Sequence, residues 1–101
     1  MDEFTRKIGQ NKGKPRLWLE GKILSDHGFR HGDMWQLLEN FSGGLIIERG
    51  LTVAGTRKRK IAGSPERPII DIAGNSLADL QDAKIVTIEA FDGQLFVRKE
   101  S

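Results

Sequence analysis

His27 and His31 stand four residues apart, the spacing that puts two imidazoles on one helical face as a metal pair requires. Gly28 and Gly32 follow them directly, and glycines so placed predict a turn instead. The nearest further ligands, Asp26 and Asp33, are generic acids, so no metal site is expected. Ser25, Ser42, Ser64 and Ser76 could act as nucleophiles only beside a base and an orienting group, and the sequence sets none beside them. The absence of cysteine removes a thiolate nucleophile and a thiolate metal site. The glycines form no phosphate-binding loop, because no GxxxxGK[ST] pattern occurs. The expectation is a protein that is not an enzyme and needs no cofactor.

The basic residues are more informative. Net charge is only +2. Residues 1–16 carry +3, residues 49–68 carry +5, and the rest of the chain carries −6. Such segregation is what a footprint on a polyanion looks like in sequence. Lys12, Lys14 and Arg16 alternate with Gly13 and Pro15 and read as an extended arm. Arg57, Lys58, Arg59 and Lys60 lie between Gly55 and Gly63 and read as a loop or ribbon, with Arg67 just beyond. These eight are the candidate nucleic-acid contacts. Of the two tryptophans, Trp35 is expected in the core. Trp18, also at a strand position with apolar neighbours, reads first as a core residue too. It lies between Leu17 and Leu19, however, so alternation puts it on the face opposite theirs, and if that face is outward it could stack on a base or anchor a partner.

The elements that must position these residues come from a repeat. LWLEGKILSDHGFRHGDMWQLLENFSGGLIIER (17–49) can be laid on IDIAGNSLADLQDAKIVTIEAFDGQLFVRK (70–99), with Gly21 on Gly74, Leu24 on Leu77, Leu45 on Leu95 and Ile47 on Val97. Each copy opens with a short strand, Leu17–Glu20 or Ile69–Ile72, and a short helix, Lys22–His27 or Asn75–Leu80. An alternating strand follows, Asp33–Glu39 or Lys84–Ala90. A glycine turn, at Ser42-Gly43-Gly44 or Asp92-Gly93-Gln94, leads to a last strand, Leu45–Arg49 or Leu95–Lys99. Units of this size cannot each enclose a core, but two together can. The fold class expected is therefore mainly β with short helices: a small β-barrel with an internal pseudo-twofold repeat. Its parts are a basic N-terminal arm (1–16), a first copy (17–49), a basic linker (50–68) and a second copy (69–101), in one compact domain. No apolar run is long enough to span a membrane, and Met1–Gln10 carries acids and no apolar core, so neither a membrane protein nor a signal peptide is expected. The expected compartment is the cytoplasm.

The segment RLWLEGKILSDHGFRHGDMWQL, with Gly28-Phe29-Arg30-His31-Gly32-Asp33 at its centre, resembles the SpoVT/AbrB-like swapped-hairpin superfamily, including its SymE-like members. The pairing of RLWLEG with a later RPIIDI also resembles a module that accompanies phage cytosine methyltransferases. The resemblance covers residues 14–99 and implies a swapped-hairpin barrel built here from two copies in one chain. It also implies DNA or RNA binding, with Arg16 and Arg67 just ahead of the first strand of each copy. The functional expectation is a nucleic-acid-binding regulator of phage or mobile-element type, acting on double-stranded DNA through phosphate contacts and able to form a homodimer. Two alternatives stand beside it. One is a small inhibitor that docks on a host defence or nucleic-acid-processing complex, and the other is a SymE-like RNA-targeting toxin.

Overall fold

The computed structural model describes residues 2–40, 44–50, 59–74, 77, 80 and 82–100, the side chains of Asn11, Glu39 and Asn40 excepted. The chain is mainly β. Its strands are β1 (Asp2–Lys7), β2 (Gly9–Asn11), β3 (Lys14–Glu20), β4 (Met34–Asn40), β5 (Gly44–Arg49), β6 (Arg59–Lys60), β7 (Ala62–Ser64), β8 (Arg67–Ala73), β9 (Ile85–Phe91) and β10 (Gln94–Lys99). A single turn of helix, α1 (Lys22–Ser25), lies between β3 and β4. The strands form a six-stranded sheet, β1-β9-β10-β5-β4-β6, and a four-stranded sheet, β2-β3-β8-β7, antiparallel throughout.

The repeat is written in the registers. β3 pairs with β8 so that Trp18 faces Asp71, and β5 pairs with β10 so that Ile46 faces Phe96. Trp18 and Asp71 occupy equivalent positions in the two copies, as do Ile46 and Phe96. An internal twofold relation therefore runs through both pairs. Each copy completes the other's sheet, because a unit with half a sheet cannot bury its apolar face alone.

The equivalence reaches further back than residue 17. Arg6-Lys7-Ile8 recurs as Arg59-Lys60-Ile61, Pro15 as Pro68 and Gly21 as Gly74, all 53 positions apart (6 to 59). The segments expected as an arm and a linker thus contain matching strands. β1 and β6 form opposite edges of the larger sheet, and β2 and β7 opposite edges of the smaller one. Between each pair of strands the chain crosses from sheet to sheet at one isoleucine. There the Ile8 N–H donates to the Lys84 carbonyl (2.9 Å) and the Ile61 N–H to the Asp33 carbonyl (2.9 Å). Both side chains turn into the core. Switching sheets at such a corner lets one chain line both layers.

The core takes symmetry-related residues from both sheets: Leu17 with Ile70, Leu19 with Ile72, Leu24 with Leu77, Leu45 with Leu95, and Ile47 with Val97. The alternation in β3 and β8 places Leu17, Leu19, Ile70 and Ile72 inward, each fully buried, a contribution of about 2 kcal/mol apiece. The Cα radius of gyration, 12.6 Å, is that of a close-packed domain of this length. The first helix is shorter than the expected Lys22–His27, ending at Ser25, since Gly28 at φ +86° turns the chain away. Most of the second expected helix, Asn75–Leu80, lies outside the described residues; Leu77 and Leu80 are buried. Among the described residues no helix is long and apolar enough to cross a membrane.

Candidate nucleic-acid interface

The outer face of the four-stranded sheet gathers most of the chemistry expected from the sequence. Along β3, Lys14, Arg16, Trp18 and Glu20 point outward while Pro15, Leu17 and Leu19 are buried. Along β8, Arg67, Ile69, Asp71 and Ala73 point outward. Trp18, 41% exposed, is therefore on the surface and not in the core where its apolar neighbours first place it, because Leu17 and Leu19 take the inward positions of β3; Trp35, 2% exposed, is in the core.

Arg16 is engaged with its neighbours. Its Nε donates to Asp71 Oδ1 (2.9 Å) and its Nη2 to Asp71 Oδ2 (2.8 Å), a forked pair across the two strands. Those hydrogen bonds hold its proton more tightly than usual. The same guanidinium lies over the Trp18 ring, 4.7 Å from its centroid. Asp71 thus fixes Arg16, and Arg16 covers one face of the indole. Asp71 is the residue that sequence reasoning missed. Laying the copies on each other pairs it with Trp18 as an equivalent, but only the cross-strand register makes the two neighbours.

The two hairpins flanking this face differ. Lys12 and Gly13 form the β2–β3 loop with φ of +55° and +77°, both left-handed as a type I′ turn demands. The loop therefore lifts Lys12 beside Lys14, and both are exposed. Pro65 and Glu66 form the equivalent β7–β8 loop, closed by the Arg67 N–H donating to Ser64 Oγ (3.2 Å). Arg67 is exposed, with the acid Glu66 next to it.

The remaining candidates lie elsewhere. Arg57 and Lys58 lie outside the described residues. Arg59 and Lys60 are on β6, at the edge of the larger sheet, and alternate in direction. Arg59 stacks over Trp35, 5.2 Å from the ring centroid, while Lys60, opposite Met34, is exposed. Their counterparts Arg6 and Lys7 were not singled out in the sequence, although the recurrence of Arg-Lys-Ile was there to find. Arg6 likewise stacks on an aromatic ring, that of Phe4, at 4.9 Å. The basic segments thus lie apart: Lys12, Lys14 and Arg16 towards the β2–β3 hairpin of the smaller sheet, Arg67 at its opposite end by the β7–β8 hairpin, and Arg59 and Lys60 on an edge of the larger sheet.

A cleft of about 390 Å³ lies where the copies meet, lined by Ser25, Asp26, Arg30, Asp33, Arg49 and Asp92. Arg49 Nη1 donates to the Gly28 carbonyl (3.4 Å) and to Asp92 (3.5 Å). The Gly93 N–H donates to the His27 carbonyl (2.7 Å) and the Arg49 N–H to the Gly93 carbonyl (2.8 Å), so the β9–β10 turn is seated on the α1–β4 loop. A Cβ on Gly28 would run into the Arg49 guanidinium. This cleft is an inter-copy joint in which Arg49 of one copy is paired with Asp92 of the other.

His27 belongs to the same joint. Its Nδ1 donates to the Ile23 carbonyl (2.7 Å) and its Nε2 meets Asp2 Oδ2 (2.8 Å). With only acceptors on both sides, the ring is best served as imidazolium, and its pKa is raised, the Ile23 carbonyl foremost and the Asp2 carboxylate after it. His31 is exposed on the loop beyond. Among the described residues no three His, Asp or Glu converge as metal ligands. Comparison with protein-family models, with curated proteins and with solved structures found no match to this chain.

Proposed function

We propose that the chain binds nucleic acid, meeting the sugar–phosphate backbone with the outer face of the four-stranded sheet. One observation carries this: Lys12 and Lys14 stand exposed at the β2–β3 hairpin, and Trp18 is exposed two outward steps further along β3, roughly 14 Å from Lys14. Among the described residues neither lysine has an ion-pair partner. Free cations leading to an exposed aromatic ring are the elements of a nucleic-acid platform. Arg67 and Lys60 supply further positive charge. Arg16, held by Asp71 and laid over Trp18, serves in this reading to position the ring.

The exchange of strands between copies, β3 with β8 and β5 with β10, supports a swapped-hairpin barrel as the finer description of the fold. The resemblance of the sequence to AbrB-type proteins supports a regulator, and that of RLWLEG with RPIIDI to a module accompanying phage cytosine methyltransferases supports a phage or mobile-element type. A second reading is favoured by Ile69, Ala73 and Ala62, which lie near Trp18 on the same face and make part of it apolar, as a protein-docking surface would be.

Fluorescence anisotropy with a labelled mixed-sequence oligonucleotide, as single strand and as duplex, tests the proposal across a salt titration. Binding whose salt slope flattens by roughly 1.4 to 1.8 in the Lys12→Ala/Lys14→Ala double variant is expected, from two phosphate contacts. Absence of binding to either form at low salt would overturn it and leave the protein-docking reading in front.

A further inference from the structure

We propose that this face takes a single strand, with one base stacked on Trp18 and the phosphates leading to it held by Lys14 and Lys12. The proposal rests on the nucleic-acid reading above and names its substrate class. The first argument is the indole itself. In a duplex the base faces are hidden in the stack, so an aromatic ring on a sheet surface has nothing to stack on. In a single strand every base offers a face. Trp18 is the most exposed large hydrophobic residue of the described chain and occupies the centre of the sheet, on the internal twofold.

The ring is also held in place. Arg16 covers one side at 4.7 Å and is itself pinned by the two hydrogen bonds to Asp71. The cross-strand row through Arg16 is Gly9–Arg16–Ala73, so no bulky side chain stands opposite Arg16 on either neighbouring strand. Preorganisation of this kind lowers the ordering cost of binding.

Spacing and sign supply the rest. Outward residues on β3 recur about every 6.8 Å, a distance comparable with that between consecutive phosphates of an extended strand. Read along β3, the outward sequence is Lys14, Arg16, Trp18, Glu20, with Lys12 in the preceding loop. Positive charge therefore stops at the tryptophan and a carboxylate follows it. On the β8 side Asp71 is paired with Arg16 and Glu66 sits next to Arg67, so that side offers no net positive charge. The strand is directed along β3 towards the β2–β3 hairpin, with a footprint of about two to three nucleotides.

The test uses the intrinsic fluorescence of the full chain. Its two tryptophans separate cleanly, since Trp35 is buried and Trp18 is exposed. Short oligothymidylate, short oligouridylate and a mixed-sequence duplex are titrated in turn, with anisotropy measured in parallel. Saturable quenching by the single strands, at least about tenfold tighter than binding of the duplex, is expected. Trp18→Ala lowers single-strand affinity by roughly 10-fold or more, while Trp18→Phe retains most of it. Circular dichroism of both variants checks that the fold is kept. Comparison of the thymidylate and uridylate arms distinguishes DNA from RNA as the source of the strand. Equal binding of duplex and single strand with no effect of Trp18→Ala would overturn this inference and leave nucleic-acid binding standing. Failure of all three probes to bind at low salt would overturn both. Loss on Trp18→Ala of capture of a purified protein partner, with oligonucleotide binding unchanged, would assign the face to protein docking and overturn the inference alone.

Discussion

The two hairpins at the ends of the small sheet share a backbone position and differ in chemistry. β2–β3 turns through Lys12-Gly13 with two left-handed residues, and β7–β8 turns through Pro65-Glu66, capped by Ser64. The strands they lead into differ as well. Trp18 and Asp71 are equivalent in the two copies, yet one is an exposed ring and the other the carboxylate that fixes its neighbour. Inward positions behave otherwise: Leu17 and Ile70, or Leu19 and Ile72, remain aliphatic and buried in both copies. Two copies packed on one core must agree about volume, whereas their outer faces have no such obligation. The internal symmetry is therefore best kept in the core, persisting outside it at such places as Arg6 and Arg59, and the candidate interface exists where it is broken.

That contrast can be challenged first at the corners. Ile61 is 1% exposed and Ile8 is 9%, at equivalent sheet crossings. Ile61→Ala is expected to cost about 3–4 kcal/mol and Ile8→Ala nearer 2, read from urea denaturation. A larger loss at Ile8 would mean that the first corner is the tighter one. Turn chemistry comes next. Gly13→Ala must hold a left-handed φ and is expected to lose about 1–2 kcal/mol, although its Cβ would meet nothing within 4 Å. The equivalent Glu66→Ala should stay within about 0.5 kcal/mol. Equal effects would remove the distinction between the loops.

A smaller effect sharpens the comparison at the axis. Asp71→Asn releases Arg16 from its forked ion pair. If Arg16 is a positioning residue, the variant should show weaker Trp18 quenching by a single strand together with a salt slope steeper by roughly 0.7, since Arg16 gains a phosphate. Asp71→Glu should restore part of the quenching. An unchanged slope with unchanged quenching would reduce Asp71 to a structural contact. The smallest effect concerns the joint at His27. The fold favours the imidazolium, so the stabilisation is complete below the ordinary histidine value of 6.5 and is lost as pH rises through the higher folded-state value. Because Asp2 is largely exposed, the change should be under about 1 kcal/mol. Urea midpoints measured at pH 5.5 and pH 8.5 should differ in the wild type and converge in His27→Gln. Convergence already in the wild type would contradict the contact.

Much of this was legible in the residues. Alternation set Trp18 on the face opposite Leu17 and Leu19, although which face is outward was decided only by the packing, and the spacing of apolar residues in both copies announced paired β units. The repeat itself was read too short. Arg6-Lys7-Ile8 and Arg59-Lys60-Ile61 match as well as anything downstream, but their charge drew attention to solvent and away from the isoleucine that each carries into the core. Basic residues on an edge strand look like a tail, because edge positions tolerate charge and need few apolar neighbours.

The sequence by itself determined the class of the protein: β-rich, duplicated, without cysteine, and with its positive charge concentrated before each copy. Local physics suffices for that, since alternation, turn residues and charge are properties of neighbours along the chain. Tertiary structure alone decided which of those charges remain available. Arg16 is bound to a carboxylate 55 residues away, Arg59 lies on a ring from another strand, and Lys12 and Lys14 are left exposed at the β2–β3 hairpin. The distance between residues 16 and 71 is set by strand register, which depends on how two apolar faces close over one core, and no window of the sequence contains that information.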